Sequence, residues 1–485
     1  MKERMLKKKW FFYLGLIALI ACKNDEPTEP PVAVDNAINE FVWGGLNSWY
    51  YWQQQVSDLS DNRFETLSEK NQFLNQYTDP STLFDDLMYT GDRFSWIVDD
   101  YIELQNRFQG VSRSYGFEFN LINIQGTDSV LGYTTYVLPN TDAASRGIVR
   151  GDVFYAIDDT RLTLTNYAEL INQETIKLAY ANRVNGSWTD NGKTVSLDAV
   201  QIAENPVHLA KVLEVEGTKV GYIMYNQFVH TRHRELNAAF GLLKNDGVTE
   251  LVLDLRYNTG GSVFTALLLG GMIYNQGTET TLFSKLIYNP KHANNNFDFP
   301  FLTELAVLNA DFEIIASEVM NRLNLSRVYI LTGRNTASAS EIIINGLEPY
   351  MEVIQIGTYT RGKNEGSVTL YDSPYSDYRD VSTANPDHLW AMQPIVSKIA
   401  NADGFGAYEN GLAPDYEIDE VSFYYDLKPL GDPDEQLLKI ALDDISGLNS
   451  IGRLATFSSD AVYLGTSTHK EKFTRSSWLD GLDIR

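Results

Sequence analysis

The chain of 485 residues holds a single cysteine, Cys22, so no disulfide forms within it and its stability rests on packing. Positive charge is scarce as well. There are 39 Lys and Arg against 64 Asp and Glu, a formal net charge of −25, and that balance leaves no basic surface for nucleic acid. The six histidines, at 208, 230, 233, 292, 388 and 469, fall in no His-Glu-x-x-His spacing, and no Walker-type phosphate loop occurs. Nothing in the sequence calls for a metal, a cofactor or an energy-driven step. Internal repeats and low-complexity tracts are absent too.

What is present begins with aromatic residues. With 28 Tyr, 23 Phe, 8 Trp and 44% apolar residues, the chain has ample material for a folded core, and its length suits two or three domains. Lys2, Arg4, Lys7, Lys8 and Lys9 precede an apolar run from Trp10 to Ala21. That run falls short of the roughly 20 residues a spanning helix needs, so residues 1–21 are read as a signal peptide. Leu19-Ile-Ala-Cys22 resembles a bacterial lipoprotein box, which implies a lipid on Cys22 and membrane attachment through it. Residues 22–35, with Asp25-Glu-Pro27 and Pro30-Pro31, read as a tether. The expected location is the cell envelope, at the outer membrane, facing the periplasm or the surface.

Residues 36–111 place Phe41, Trp43, Leu46, Trp49 and Tyr50 at helical intervals, predicting a small helical domain. Over 112–202 short alternating strands take over, as in Gly116-Phe-Glu-Phe119, Thr134-Thr-Tyr-Val-Leu138 and Asp152-Val-Phe-Tyr-Ala-Ile157. This module resembles a PDZ domain: Tyr115-Gly116-Phe117 is similar to its carboxylate-binding loop, and Asn140 to Gly147 and Arg150 to Phe154 to the helix and strand entry. The resemblance implies capture of a peptide C-terminus as an added strand. Residues 203–447 alternate strands (Lys219–Met224, Glu250–Leu255, Arg327–Thr332, Val353–Gly357) with helices, as α/β folds do. Residues 448–485 carry no motif and are either an interaction tail or a packed extension.

Inside that α/β region, Thr336-Ala-Ser-Ala-Ser-Glu341 sets Ser338 at a strand-to-helix turn, and Thr360-Arg-Gly-Lys363 follows 25 positions after it. A serine hydroxyl needs a neighbour to remove its proton, and a lysine does so only if burial holds its pKa well below about 10.4. The helix start favours negative charge. The Ala339 N–H is the natural first donor to an oxyanion, and Gly260 or Gly261 could supply a second. A Ser-His-Asp triad remains open, since its members need not be close in sequence.

Together with Asp254-Leu-Arg-Tyr-Asn-Thr-Gly-Gly261, these segments resemble the carboxy-terminal processing peptidases, or tail-specific proteases. The resemblance implies Ser338 as nucleophile, Lys363 as its base, and an α/β core of the ClpP/crotonase type behind a PDZ-like module and an N-terminal helical domain. One position departs from the family pattern. Four residues after the lysine, where many members carry Gln or Glu to orient it, this chain has Ser367. Reading Asn364-Glu365 as an insertion moves the position to Thr369, and Glu365 is a third candidate. The expected function is therefore a serine endopeptidase of the envelope acting on proteins or peptides with exposed C-termini. The alternative is a noncatalytic lipoprotein of the same fold that binds peptide or apolar ligand.

Overall fold

The structure is a computed structural model and describes residues 37–448 and 460–467. The expected signal peptide, Cys22 with its lipid, the tether and most of the C-terminal extension lie outside the described residues.

A six-stranded sheet forms the centre. Its strands run in the order Val207–Val215, Thr218–Tyr225, Glu250–Asp254, Arg327–Thr332, Glu352–Gly357, Tyr416–Glu417, the first pair antiparallel and every later pair parallel. Parallel neighbours need crossovers, which here include the helices His233–Asn245, Val263–Ile273 and Ala339–Leu347. Both faces are covered, so the inner strands are apolar at almost every position. Leu251, Leu253, Val328 and Ile330 pack with those three helices. Val252, Tyr329, Leu331 and Ile356 pack on the other face against Leu437, Leu438 and Ala441 of the helix Gln436–Ile445. The parallel strands consequently end together, and the loops after Asp254, Thr332 and Gly357 meet at one edge.

A second sheet follows the path Ala461–Thr466, Phe117–Ile124, Val130–Val137, Val153–Ile157, Thr175–Val184, Ser187–Asp198. Its outermost strand comes from the C-terminal extension, which over that stretch is a packed strand. The helix Ala37–Trp49 shares its core with the central helices, whereas Tyr101–Phe108 packs in a separate cluster with Trp96 and Val98. Phe41, Val42, Leu46 and Tyr50 from Ala37–Trp49 and its end share one apolar cluster with the central helices, and Trp96–Val98 pairs with Ala391–Gln393. The N-terminal helical region expected from the aromatic pattern thus packs against the α/β body.

Candidate active site

The strand Arg327–Thr332 leads into a turn that Thr336 locks. Its Oγ1 donates to the Leu255 carbonyl at 2.8 Å and accepts from the Gly333 N–H at 2.9 Å. Ala337 N–H donates to the Asn258 carbonyl at 3.2 Å, tying the turn to the neighbouring loop. Ser338 then takes φ 63° and ψ −116° just before the helix Ala339–Leu347. A non-glycine residue in that region costs about 1–3 kcal/mol and persists only where its surroundings impose it. Gly260 is part of the imposition: a Cβ there would lie 2.7 Å from the Ser338 Cβ and 3.0 Å from its Oγ. The Ser338 hydroxyl is buried and has no hydrogen-bond partner among the described residues.

Glu341 joins the serine turn to the lysine loop. Its Oε2 accepts from the Ser338 N–H at 2.7 Å and from the Lys363 N–H at 2.8 Å. Its Oε1 accepts from Thr360 Oγ1 at 2.6 Å and from the Gly362 N–H at 2.7 Å. One oxygen thus spans the backbones of the two residues singled out in the sequence. Arg361 N–H reinforces the join by donating to the Thr336 carbonyl at 2.8 Å. Burial lifts the Glu341 carboxyl above its usual range, against the pull of Thr360 Oγ1 and the three backbone donors.

Lys363 is buried, with 1% exposure, and burial pushes its ammonium down to about 7 against the opposing pull of Glu365, Asp92 and Glu341. The N-terminal segment covers this loop. Phe94 lies with its ring centre 5.2 Å from Lys363 Nζ, and Arg93 donates to the carbonyls of Gly362 at 2.5 Å and Glu409 at 2.9 Å. Asp92 is itself held by Tyr50 Oη at 2.8 Å and by the Phe94 and Ser95 N–H groups.

The other expected residues divide. The Gly260 N–H donates to Asn258 Oδ1 at 2.8 Å, so Gly260 makes room for the serine instead of serving as an oxyanion donor in this arrangement. The N–H groups of Gly261 and Ala339 donate to nothing among the described residues. Of the candidates to orient the lysine, Glu365 accepts from Lys398 Nζ at 2.6 Å, and Thr369 Oγ1 accepts from Gln393 Nε2 at 2.5 Å. Ser367 is buried opposite Ile395. In the second sheet, Tyr115 Oη donates to the Gln173 carbonyl at 2.5 Å, the Gly116 N–H donates to Ser114 Oγ at 3.0 Å, and Phe117 is buried in the module's own core. His233 is held between the Ala306 carbonyl and Thr265, and the Ser338 hydroxyl bonds neither a histidine nor Lys363 among the described residues.

Sequence reasoning missed Glu341 as a shared acceptor, because a glutamate three residues into a helix reads as an ordinary cap. It also missed Asn258 and the Asp92-Arg93-Phe94 cover. A second buried cluster carried no signal either. Arg256 bonds Asp254, Glu435 and Glu420, and Arg150 from the second sheet bonds Glu420 at 2.8 Å and Tyr257 at 2.6 Å.

Fold and site together define an α/β protein with a buried serine at a helix start and a buried, weakly basic lysine joined to it through one carboxylate. A family model described as Peptidase family S41 matches residues 219–418, and one described as Peptidase S41 N-terminal domain matches residues 37–96. Together they take in more than half of the chain, which belongs to peptidase family S41. A carboxyl-terminal-processing protease of Picosynechococcus sp. is 30% identical over 53% of this chain and 60% of its own length. A Staphylococcus aureus protein named as CtpA-like serine protease is 24% identical over 52% of this chain and 45% of its own. The chain thus matches about half the length of these curated relatives. A crystal structure of an S41-family protein from Bacteroides fragilis NCTC 9343 superposes with TM-score 0.67 at 27% identity, covering 87% of this chain and 99% of that one.

Proposed function

We propose that this chain is a serine endopeptidase working through Ser338 and Lys363. The observation that carries the reading is the Glu341 carboxylate, which accepts from the backbone N–H of both residues at 2.7 and 2.8 Å. Neutral Lys363 Nζ takes the hydroxyl proton as Ser338 Oγ bonds to the scissile carbonyl carbon, and the Ala339 and Gly261 N–H groups receive the oxyanion. Collapse breaks the C–N bond, the amine leaves with the proton from Lys363, and water activated by the same amine hydrolyses the acyl-enzyme. A lysine near pKa 7 is suited to both directions of proton transfer around neutrality.

The core is in this reading of the ClpP/crotonase type, and residues 112–202 act as a PDZ-like module that selects substrates by their C-terminal tails. Cys22 carries the lipid that holds the protein in the cell envelope. Ser367, standing where relatives of this pattern carry a carboxamide, favours the second reading, a noncatalytic binder of peptide or apolar ligand. One assay separates them. The purified chain should cut an unfolded reporter with an apolar C-terminus, and Ser338→Ala and Lys363→Ala should each lower the rate by about 10²-fold or more. If wild type and both variants are indistinguishable between about pH 6 and about pH 10, the peptidase reading fails.

A further inference from the structure

The edge of the second sheet, the strand Phe117–Ile124, is filled by the chain's own segment Ala461–Thr466. The pairing is antiparallel, with Ala461 opposite Ile124 and Thr466 opposite Asn120, and Ser467 N–H donates to the Phe119 carbonyl at 2.8 Å. The segment therefore runs toward the Tyr115-Gly116-Phe117 loop, the direction a captured peptide tail would take if that loop received its end. Its side chains engage on two sides. Leu464 packs against the module's core beside Phe117, Phe119 and Leu121, whereas Ala461 and Tyr463 pack with Ile122, Val421 and Tyr424 of the opposite cluster.

The segment's own side chains are buried less deeply than those of the rest of the sheet, while Asp460 before it bonds Arg183 and Tyr424 and Ser467 after it bonds Glu118. Seven of the eight residues of Val130–Val137 are buried, but only Gly465 is buried in Ala461–Thr466, and the ladder slips register between Tyr463 and Gly465. Edge-strand hydrogen bonds can be replaced one for one by another extended chain, so exchange costs the side-chain contacts and the flanking anchors at Asp460 and Ser467. The segment also reaches the serine turn: Asn335 Nδ2 donates to Tyr463 Oη at 2.9 Å, three residues before Ser338.

We infer that Ala461–Thr466 is a built-in occupant of the peptide edge, and that an extended peptide end with an aromatic residue followed by an aliphatic one must displace it to bind. Exchange removes the Tyr463 contact from the serine turn and so couples occupancy to the site. This rests on reading residues 112–202 as the peptide-binding module.

The test is made in full-length chain carrying Cys22→Ser and Ser338→Ala, so that binding is read without cleavage. The probe is a fluorescein-labelled peptide, Ala-Val-Tyr-Leu-Gly-Thr-Ser with a free carboxylate, followed by anisotropy. Adding Ala461→Cys and Ile124→Cys, a directly opposed pair, allows the segment to be locked by oxidation and released by reductant. Locking should weaken peptide binding at least tenfold, with recovery on reduction. Leu464→Asp, which loosens the segment without a cross-link, should tighten binding at least threefold. Equal affinity in the oxidised and reduced chains, or no gain in Leu464→Asp, overturns the inference. With Ser338 restored, a lock-sensitive binding site in a chain that cuts no reporter would sink the peptidase reading alone. Cleavage of a tailed reporter that ignores the lock would sink this inference alone.

Discussion

Two buried ionic centres, one around Arg256 and one around Lys363, solve burial in opposite ways. Around Arg256, charge meets charge. Asp254, Glu420 and Glu435 surround the guanidinium, and although burial alone would push the Glu420 carboxyl up, Arg150 and Arg256 hold it at about 2. Around Lys363, Glu365, Asp92 and Glu341 all favour the charged form, yet burial outweighs them and leaves the ammonium near 7. The compensated centre keeps its ions charged and ties the two sheets together through Arg150. The under-compensated one yields an amine able to accept a proton. A buried cation is structural or reactive according to how fully its charge is answered.

The sharpest way to break this contrast is to remove each cation. Arg256→Met should destabilise the chain by about 3–5 kcal/mol in urea unfolding, because it strands buried carboxylates. Lys363→Met should leave stability at pH 6 equal or higher while abolishing cleavage, since it removes a poorly answered charge. A loss above about 2 kcal/mol in Lys363→Met would erase the distinction.

The pH dependence follows with its sign. The folded pKa of Lys363, about 7, lies below its ordinary 10.5, so between those values the unfolded chain binds more protons and stability rises with pH. The lysine's contribution is present above about 10.5 and lost as pH falls to about 7. The stability of wild type relative to Lys363→Met should therefore decline by a few kcal/mol across that window and level off below it. In the same protein, kcat/KM should climb through a single limb near pH 7 and then plateau.

Glu341→Gln keeps the shape of the shared acceptor but turns an NH₂ toward donors. A loss of about 2 kcal/mol in stability and a fall in kcat/KM of about 10²-fold are expected, measured by urea unfolding and reporter cleavage, because the two backbones drift apart. Gly260→Ala should cost about 1–2 kcal/mol of stability, less than Arg256→Met, since the new methyl meets Ser338 and the Ala337 carbonyl and an alanine resists φ 106°. Its signature would be a lower kcat with KM little changed, checked by steady-state kinetics.

Much of the fold was legible because buried parallel strands are apolar on both faces. Glu250–Asp254, Arg327–Thr332 and Glu352–Gly357 lie within a residue or so of their expected bounds. Ser338 was legible from the strand, turn and helix around it. The cover from Asp92, Arg93 and Phe94 was not, because Arg93 meets Gly362 across 269 positions and no local pattern encodes such a contact. The oxyanion donors were half legible. A glycine pair announces close backbone approach, but whether each N–H stays unpaired depends on Asn258, whose side chain takes that of Gly260 and leaves that of Gly261.

By itself the sequence determined the order of strands and helices, the helix-start serine with a lysine 25 positions on, and the excess of acid over base, because these follow from local periodicity, spacing and composition. Only the tertiary structure decided that Glu341 would bind both backbones, that Lys363 would be buried under the N-terminal segment, and that Ala461–Thr466 would fill the edge beside Phe117. Each depends on contacts between distant segments, and burial, which sets both the lysine's basicity and the strand's partner, exists only once those segments have packed together.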